Sequence, residues 1–412
     1  MRENFMQVAA LRAEAKAIFQ AGVDAADPAG AVRRALIGEP VVGRVSVIAL
    51  GKAAGAMMAE ALLHVDAVRA LVVTNGENYR EVAGADVIVG EHPVPSDGSV
   101  VAGAAVLDAV AGLGPEDQVL ALISGGGSAL AIAPVEGVSA GDKQAANGVL
   151  LASGMDINQM NLVRQCLSRI KGGGLLAATG ASVRALILSD VIGDDLRVVA
   201  SGPTVGRVGS HRDARAVLKA AGAWEAMPIS VKAHLEMDAD VPVSRAAQNQ
   251  IVGSNRVSLD AMVAACDRAV IVDDALVGDV ADAAEKILAA MRAARGDCTL
   301  IFGGETTVKL QGDGVGGRNQ ELALRVAQGA QGLAGNWVFL SGGTDGRDGP
   351  TDAAGGLVDG ETVARMTAAG VSIDEVLANN DSYHGLQAAG DLLVIGATGT
   401  NVADVQVFLR RS

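Results

Sequence analysis

The strongest constraint in this chain is a junction that recurs along it: a short apolar, β-branched run that stops at glycine. VSVIAL (45–50) runs into Gly51, and VLALI (119–123) runs into Ser124 and three glycines. TLIF (299–302) runs into Gly303 and Gly304, and VFLS (338–341) into Gly342 and Gly343. Apolar runs of strand length, bounded by turn residues and separated by stretches of helical period, predict βαβ units and a largely parallel sheet. Three adjacent glycines lose more backbone entropy on folding than other residues would. The loop Gly125–Gly127 therefore calls for something that offsets the loss.

Further strands are expected at 70–74, 86–90, 183–189, 250–255 and 269–274, and near the end in DLLVIGATGT. CTLIFGGETTVKLQG (298–312) reads as two strands joined across Gly303 and Gly304. Helices are expected from 51–63, 99–113 and about 279–294, and after Gly317. A chain of 412 residues is too long for one ordinary core, so two α/β domains are expected. The crossover is placed between Met227 and Gln250, where Pro228 and Pro242 bracket a polar stretch. This gives domains at 1–235 and 245–412.

Half of the residues are hydrophobic but only 2% are aromatic, so the core is expected to be built from Ala, Val, Leu and Ile. The net charge of -14 argues against a nucleic-acid partner, which would need a basic face. A small anionic substrate remains compatible, because a local cleft can be positive on an acidic protein. The N-terminal stretch has no apolar core of signal-peptide length, and no later run is long enough to span a membrane. Cys166, Cys266 and Cys298 lack CxxC spacing, which suggests free thiols, no zinc site and a reducing cytoplasm.

Several clusters carry candidate chemistry. The loop Ser124, Gly125, Gly126, Gly127, Ser128 ends a strand and opens a helix, where backbone N–H groups and two hydroxyls can hold an anion. It is neither GxxxxGK[ST] nor GxGxxG. Lys52 follows Gly51 at a strand end in a stretch uncharged from Val45 to Met58, at the carboxyl edge where open α/β sheets bind ligands. Arg169, Lys171, Gly172, Gly173 and Gly174 form a basic, glycine-rich cluster. It reads equally as a helix C-cap and as an anion site.

Asp190, Asp194 and Asp195 follow the strand at 183–189, an arrangement that suits Mg²⁺. Asp190, nearest the strand, is the best single candidate. Asp194 and Asp195 have a second reading as turn or helix caps. Glu305 follows two glycines, and Arg318 and Asn319 stand at the front of an apolar helix. An arginine there opposes the helix dipole, so a bound anion is its expected compensation. Asp345, Asp348 and Asp352 lie in a glycine-rich loop too irregular for an EF-hand, and His92 lies in a loop with Pro93 and Pro95.

Taken in order, GKAA (51–54), HPVP (92–95), LISGGGSAL (122–130), NLVRQCLSRIKGG (161–173), SDVIGDDLRVVASGPT (189–204), GGET (303–306), GGRNQELAL (316–324) and SGGTDGRDGPTDAAGG (341–356) resemble the glycerate 2-kinase family. Some members of that family are labelled hydroxypyruvate reductase. The resemblance implies a Rossmann-like N-terminal domain with a largely parallel sheet and a C-terminal mixed-sheet MOFRL-type domain, with the active site in the cleft between them. It implies ATP-dependent, Mg²⁺-assisted phosphorylation of D-glycerate at its 2-hydroxyl. Lys52 and Arg318 are then the expected catalytic pair, and the residue reading adds Asp190 to them. The glycine loop, with Lys171, Gly172 and Gly173, holds ATP. From the residues themselves, His92, Glu305, Asn319 and Asp345 are expected as substrate contacts and Asp190 and Asp195 as the metal-facing acids. Members often read VRKHLS and KGGRL where this chain carries Gln165, Cys166 and Gly174.

A kinase gives the glycine loops, the cations and the acids each a task, since phosphoryl transfer is mostly positioning and charge stabilisation. An NAD(P)H-dependent hydroxypyruvate reductase would want GxGxxG, which GKAAGA does not supply. A non-catalytic sensor of sugar acids or nucleotides fits the fold but leaves the paired cationic and acidic loops without a task.

Overall fold

The computed structural model describes residues 2–237 and 245–411, without the side chains of 2–5; Pro242 lies outside the described residues. The chain divides into two compact units. One comprises Pro28–Ser189 and Asp194–Val252; the other comprises Met1–Asp27, Asp190–Gly193 and Gly253–Ser412.

The first unit is built on β1 (Arg44–Leu50), β2 (Ala67–Asn75), β3 (Asp86–Gly90), β4 (Asp117–Ile123), β5 (Ser182–Leu188) and β6 (Gln248–Gly253). Their order is β3-β2-β1-β4-β5-β6, and β3–β2, β2–β1, β1–β4 and β4–β5 pair in parallel. β1, β4 and β5 are buried along nearly their whole length, as parallel strands covered on both faces must be. Helices Ala140–Ala152, Ile157–Cys166, His211–Ala220 and Ile229–Glu236 make a separate apolar cluster around Leu150, Val163, Leu218 and Val231.

The second unit carries β7 (Ala269–Asp279), β8 (Cys298–Thr307), β9 (Asn336–Gly343), β10 (Gly355–Asp359), β11 (Leu392–Leu393) and β12 (Asp404–Arg411). The order is β11-β10-β9-β12-β8-β7, antiparallel except for the parallel pair β7–β8. CTLIFGGETT forms one strand and not two, with Gly304 at a positive φ against the Leu276 backbone. DLLVIGATGT yields only the short β11, because β12 takes the central place beside β9 and β8.

The first helix, Arg2–Ala25, belongs to this second unit, although the sequence reading placed it in the domain ending at 235. Its residues Leu11, Ala15, Ile18 and Phe19 recur at helical spacing, and they pack in one core with Val338, Leu340, Val405 and Val407. Helices Val280–Ala293 and Arg318–Gly329 contribute to a second core with Phe302, Phe339 and Phe408. Among the described residues no helix is long and apolar enough to cross a membrane, and all three cysteines are free thiols.

Candidate active site

In the first sheet the winding reverses between β1 and β4. At such a point an open α/β sheet leaves a crevice outside the carboxyl ends of its strands. Lys52 leaves β1 there and the loop Ser124–Ser128 leaves β4. The two loops are tied together. Lys52 N donates to Gly125 O at 3.0 Å, Ser124 N to Leu50 O at 2.9 Å, and Ala53 N to Ser124 Oγ at 3.1 Å. Only glycine fits at 51: φ is +129°, and a Cβ would lie 2.2 Å from Ser124 Oγ and 2.5 Å from the Ser124 carbonyl oxygen.

Gly126 also has a positive φ, and a Cβ there would sit 3.3 Å from both His92 Cδ2 and Lys52 Cγ. The lysine stem and the imidazole therefore lie against the glycine loop. Burial, and then the Lys52 charge, hold the His92 pKa below its usual value, so the ring is neutral at pH 7. At the far end of the loop, Ser128 Oγ meets Ser201 Oγ at 2.9 Å and receives Lys171 Nζ at 2.8 Å.

The C-cap reading of the 169–174 cluster does not hold, because the helix Ile157–Cys166 is capped at Leu167. The phosphate role of Gly172 and Gly173 also changes. Their N–H groups donate to the Ser201 and Gly202 carbonyls at 3.0 and 2.8 Å, so they close a turn and present no donors. The departures from the resembling family are built into this turn. Gln165 Nε2 donates to the Arg197 and Ser201 carbonyls, and its Oε1 accepts from Val208 N. A Cβ at Gly174 would lie 2.3 Å from the Arg169 carbonyl oxygen, which leaves no room for an arginine.

Asp190 lies two residues past β5. Asp195 does not fit a metal ligand, because Arg197 bonds both of its oxygens, Nε to Oδ1 at 2.9 Å and an amino group to Oδ2 at 2.7 Å. Among the described residues no three His, Cys, Asp or Glu side chains gather as a metal cage.

In the second unit, Arg318 opens the helix Arg318–Gly329. Its Nε and one amino group bond Asp404 Oδ2 and Oδ1 at 2.6 and 3.1 Å, and its other amino group pairs with Glu305 at 3.0 Å. Asp404 on β12 and Gly304 on β8 are register partners, which brings Asp404 and Glu305 together. The anion expected to compensate Arg318 is thus supplied by the protein itself. Burial works against the arginine's charge, but Asp404, and then Glu305 and Asp348, outweigh it and raise its pKa.

Asp348 accepts the Asn319 and Gln320 N–H groups at 3.1 and 2.8 Å, taking up first-turn donors of that helix. Burial pushes the Asp348 carboxyl up to about 7 against those bonds, and the Asp404 charge adds to the rise. Asn319 is not a substrate contact: it is 1% exposed, and its amide is held by Ser341 and Asp348. Asp345 holds the Arg347 N–H at 3.0 Å. Glu305 remains half exposed. Asp404 and Ser201 were missed in the sequence. Asp404 stands alone at the front of DVQVFLR, and Ser201 lies inside the motif SDVIGDDLRVVASGPT without any charge or spacing that singles it out, so only tertiary contact reveals either.

Residues 14–236 match the family described as Domain of unknown function (DUF4147), and residues 298–404 match the MOFRL family. The chain is 39% identical over 380 residues to a D-glycerate 2-kinase of Thermotoga maritima, across 89% of this chain and 90% of the relative. It is 39% identical over 411 residues to a protein of Agrobacterium vitis named putative hydroxypyruvate reductase, across 95% and 93%. A crystal structure of glycerate kinase from Thermotoga maritima superposes with a TM-score of 0.92 at 36% identity, covering 98% of this chain and 100% of that one.

Proposed function

This chain belongs to the glycerate kinase family, and from that premise we propose that it transfers the terminal phosphoryl group of ATP to the 2-hydroxyl of D-glycerate, giving 2-phosphoglycerate and ADP. The observation that carries the reading is the meeting of Lys52, His92 and the Gly126 loop where the strand order reverses. The loop lends backbone N–H groups to the nucleotide phosphates, and Lys52 places a point charge on the phosphoryl group as negative charge builds. Arg318, held flat by Asp404, offers its remaining N–H donors to a carboxylate or to phosphoryl oxygens. Glu305, exposed and paired only at the surface, is readily exchanged for such a group.

Gly126→Val tests the loop. A β-branched side chain at positive φ presses on Lys52 and His92, so the KM for ATP is expected to rise about tenfold or more while that for D-glycerate stays nearly constant. An unchanged KM for ATP in a folded variant removes the loop from nucleotide binding.

Mg²⁺ is proposed to arrive with the nucleotide, since that ion keeps several waters and asks for only one or two protein carboxylates beside phosphate oxygens. Bound there, it would neutralise phosphate charge. Asp190 is the proposed carboxylate, directly or through a water. Asp190→Asn is expected to shift the Mg²⁺ titration midpoint upward at constant ATP, and a midpoint that stays put makes Asp190 structural.

One pair of assays decides the reaction: ADP release with D-glycerate, and NADH or NADPH oxidation with hydroxypyruvate. Nicotinamide oxidation without ADP release would overturn the kinase reading. GKAAGA, at the turn after β1, lacks the glycine pattern a dinucleotide pyrophosphate requires.

A further inference from the structure

Two lysines of the first unit are buried with no carboxylate paired to them among the described residues. Lys143, on the helix Ala140–Ala152, is 8% exposed, and Lys171 is 5% exposed. Lys143 Nζ donates to the Leu167 carbonyl at 2.7 Å, and Lys171 Nζ donates to Ser128 Oγ at 2.8 Å. One short turn ties these contacts together, because Ser168 Oγ accepts the Lys171 N–H at 3.2 Å. A third cation joins them: Arg164 Nε is held by Asn147 Oδ1 at 2.9 Å, and Asn147 lies one helical turn beyond Lys143.

Among the described residues none of the three makes an ion pair with a carboxylate, and the charges that act on the two lysines are cations. Burial, and then Arg164, bring Lys143 down to about 7. Burial, and then Lys143 and Arg164, hold Lys171 well below the usual lysine range. A buried, unpaired charge costs several kcal/mol. Two buried lysines that would have to carry such a charge, with the half-buried Arg164 beside them, conflict with stability, and local conflict of this kind is expected where a site overrides it.

We propose that Lys143, Arg164 and Lys171, gathered at the turn Leu167–Lys171, form the seat for the terminal phosphates of a nucleoside triphosphate, entered at Ser128 of the glycine loop. The proposal rests on the reading of that loop as a nucleotide site, and it adds Lys143 and Arg164, which lie outside the loop. Without an anion Lys143, brought down to about 7, is mostly the neutral amine at pH 8. A bound polyphosphate favours the ammonium, so binding draws protons from solvent. Besides Arg164 and Lys171, Lys143 is felt by His234 on the helix Ile229–Glu236, whose pKa is lowered by burial, then by His211, and further by Arg207 and Lys143.

Calorimetry of inorganic tripolyphosphate binding to the full chain at pH 8, repeated in buffers of different ionisation enthalpy, reads the proton uptake. Uptake of roughly one proton per chain is expected. No binding, or binding without uptake, overturns the proposal. In Lys143→Met the Kd for tripolyphosphate is expected to weaken about tenfold or more, the loss of one charge-assisted contact. Its thermal midpoint without ligand should change little, since the gain from an apolar chain of similar length is offset by the Leu167 carbonyl left without its donor. An unchanged Kd in the folded variant overturns the proposal. Where Lys143→Met does not fold, the uptake by the unaltered chain decides. Uptake by a chain that does not phosphorylate D-glycerate keeps the site and removes the kinase reading. Phosphorylation without uptake does the reverse.

Discussion

Lys52→Ala is expected to lower kcat by roughly 10²–10³ while leaving the fold intact, the loss typical of removing one group that stabilises charge in a transition state. The two halves of that expectation have separate grounds. Lys52 stands at the reversal of the strand order with its stem against Gly126, where charge would act on a bound phosphoryl group. Its ammonium makes no ion pair or hydrogen bond among the described residues, so its removal leaves no buried partner stranded. Circular dichroism and the thermal midpoint should therefore be close to those of the unaltered chain. A third readout checks the placement itself. The Lys52 charge helps to hold His92 low, so the variant's His92 should titrate at a higher pH, which NMR can follow. A folded variant with near-normal kcat/KM for both substrates would move the reacting centre elsewhere.

What the sequence made legible is what depends on local pattern. Val45–Leu50 and Val119–Ile123 were readable as buried strands from composition and length, and Gly51 and the 124–128 loop followed as strand-end turns. Lys52 stood out because its neighbours are uncharged. Features set by partners far along the chain were not readable. Leu11, Ala15, Ile18 and Phe19 declare a helical face, but nothing in them says that the face covers β9 and β12. Asp404 lies 86 residues from Arg318 and meets it only because β12 inserts between β8 and β9. Gly172 and Gly173 misled for a related reason: a glycine pair shows that the backbone turns, not where its N–H groups point. The conflict of Arg318 with its helix dipole was readable, yet its resolution by protein carboxylates required the tertiary fold.

That resolution leads to the second large effect. Arg318→Ala is expected to cost roughly 10²–10³ in kcat. It should also cost about 3 kcal/mol of stability, near the low end for breaking a buried ion pair because the arginine is partly exposed. The stability loss follows from Asp404, whose side chain is 2% exposed and would be left without its bidentate partner. Asp404→Asn separates the two effects. It keeps the shape but replaces one accepting oxygen with a donor facing the guanidinium, so Arg318 loses its fixed plane.

If Asp404 positions Arg318 for the reaction, kcat should fall roughly 10–100-fold, the worth of a hydrogen bond to a charged group, while the KM for ATP changes less. The pH dependence of stability gives an independent check. Asp348 is pushed up to about 7, so the folded chain binds more protons than the unfolded one between the ordinary carboxyl range and that value. Stability should therefore decline as pH rises through this window. The Asp404 charge contributes to the rise, so Asp404→Asn should lower the Asp348 pKa and flatten the decline. An Asp404→Asn chain with the flattened profile and an undiminished kcat would make the cluster a structural clasp for the helix Arg318–Gly329, with catalysis left to the first unit. A flattened profile together with a lowered kcat would make Asp404 the residue through which the last strand orients the arginine.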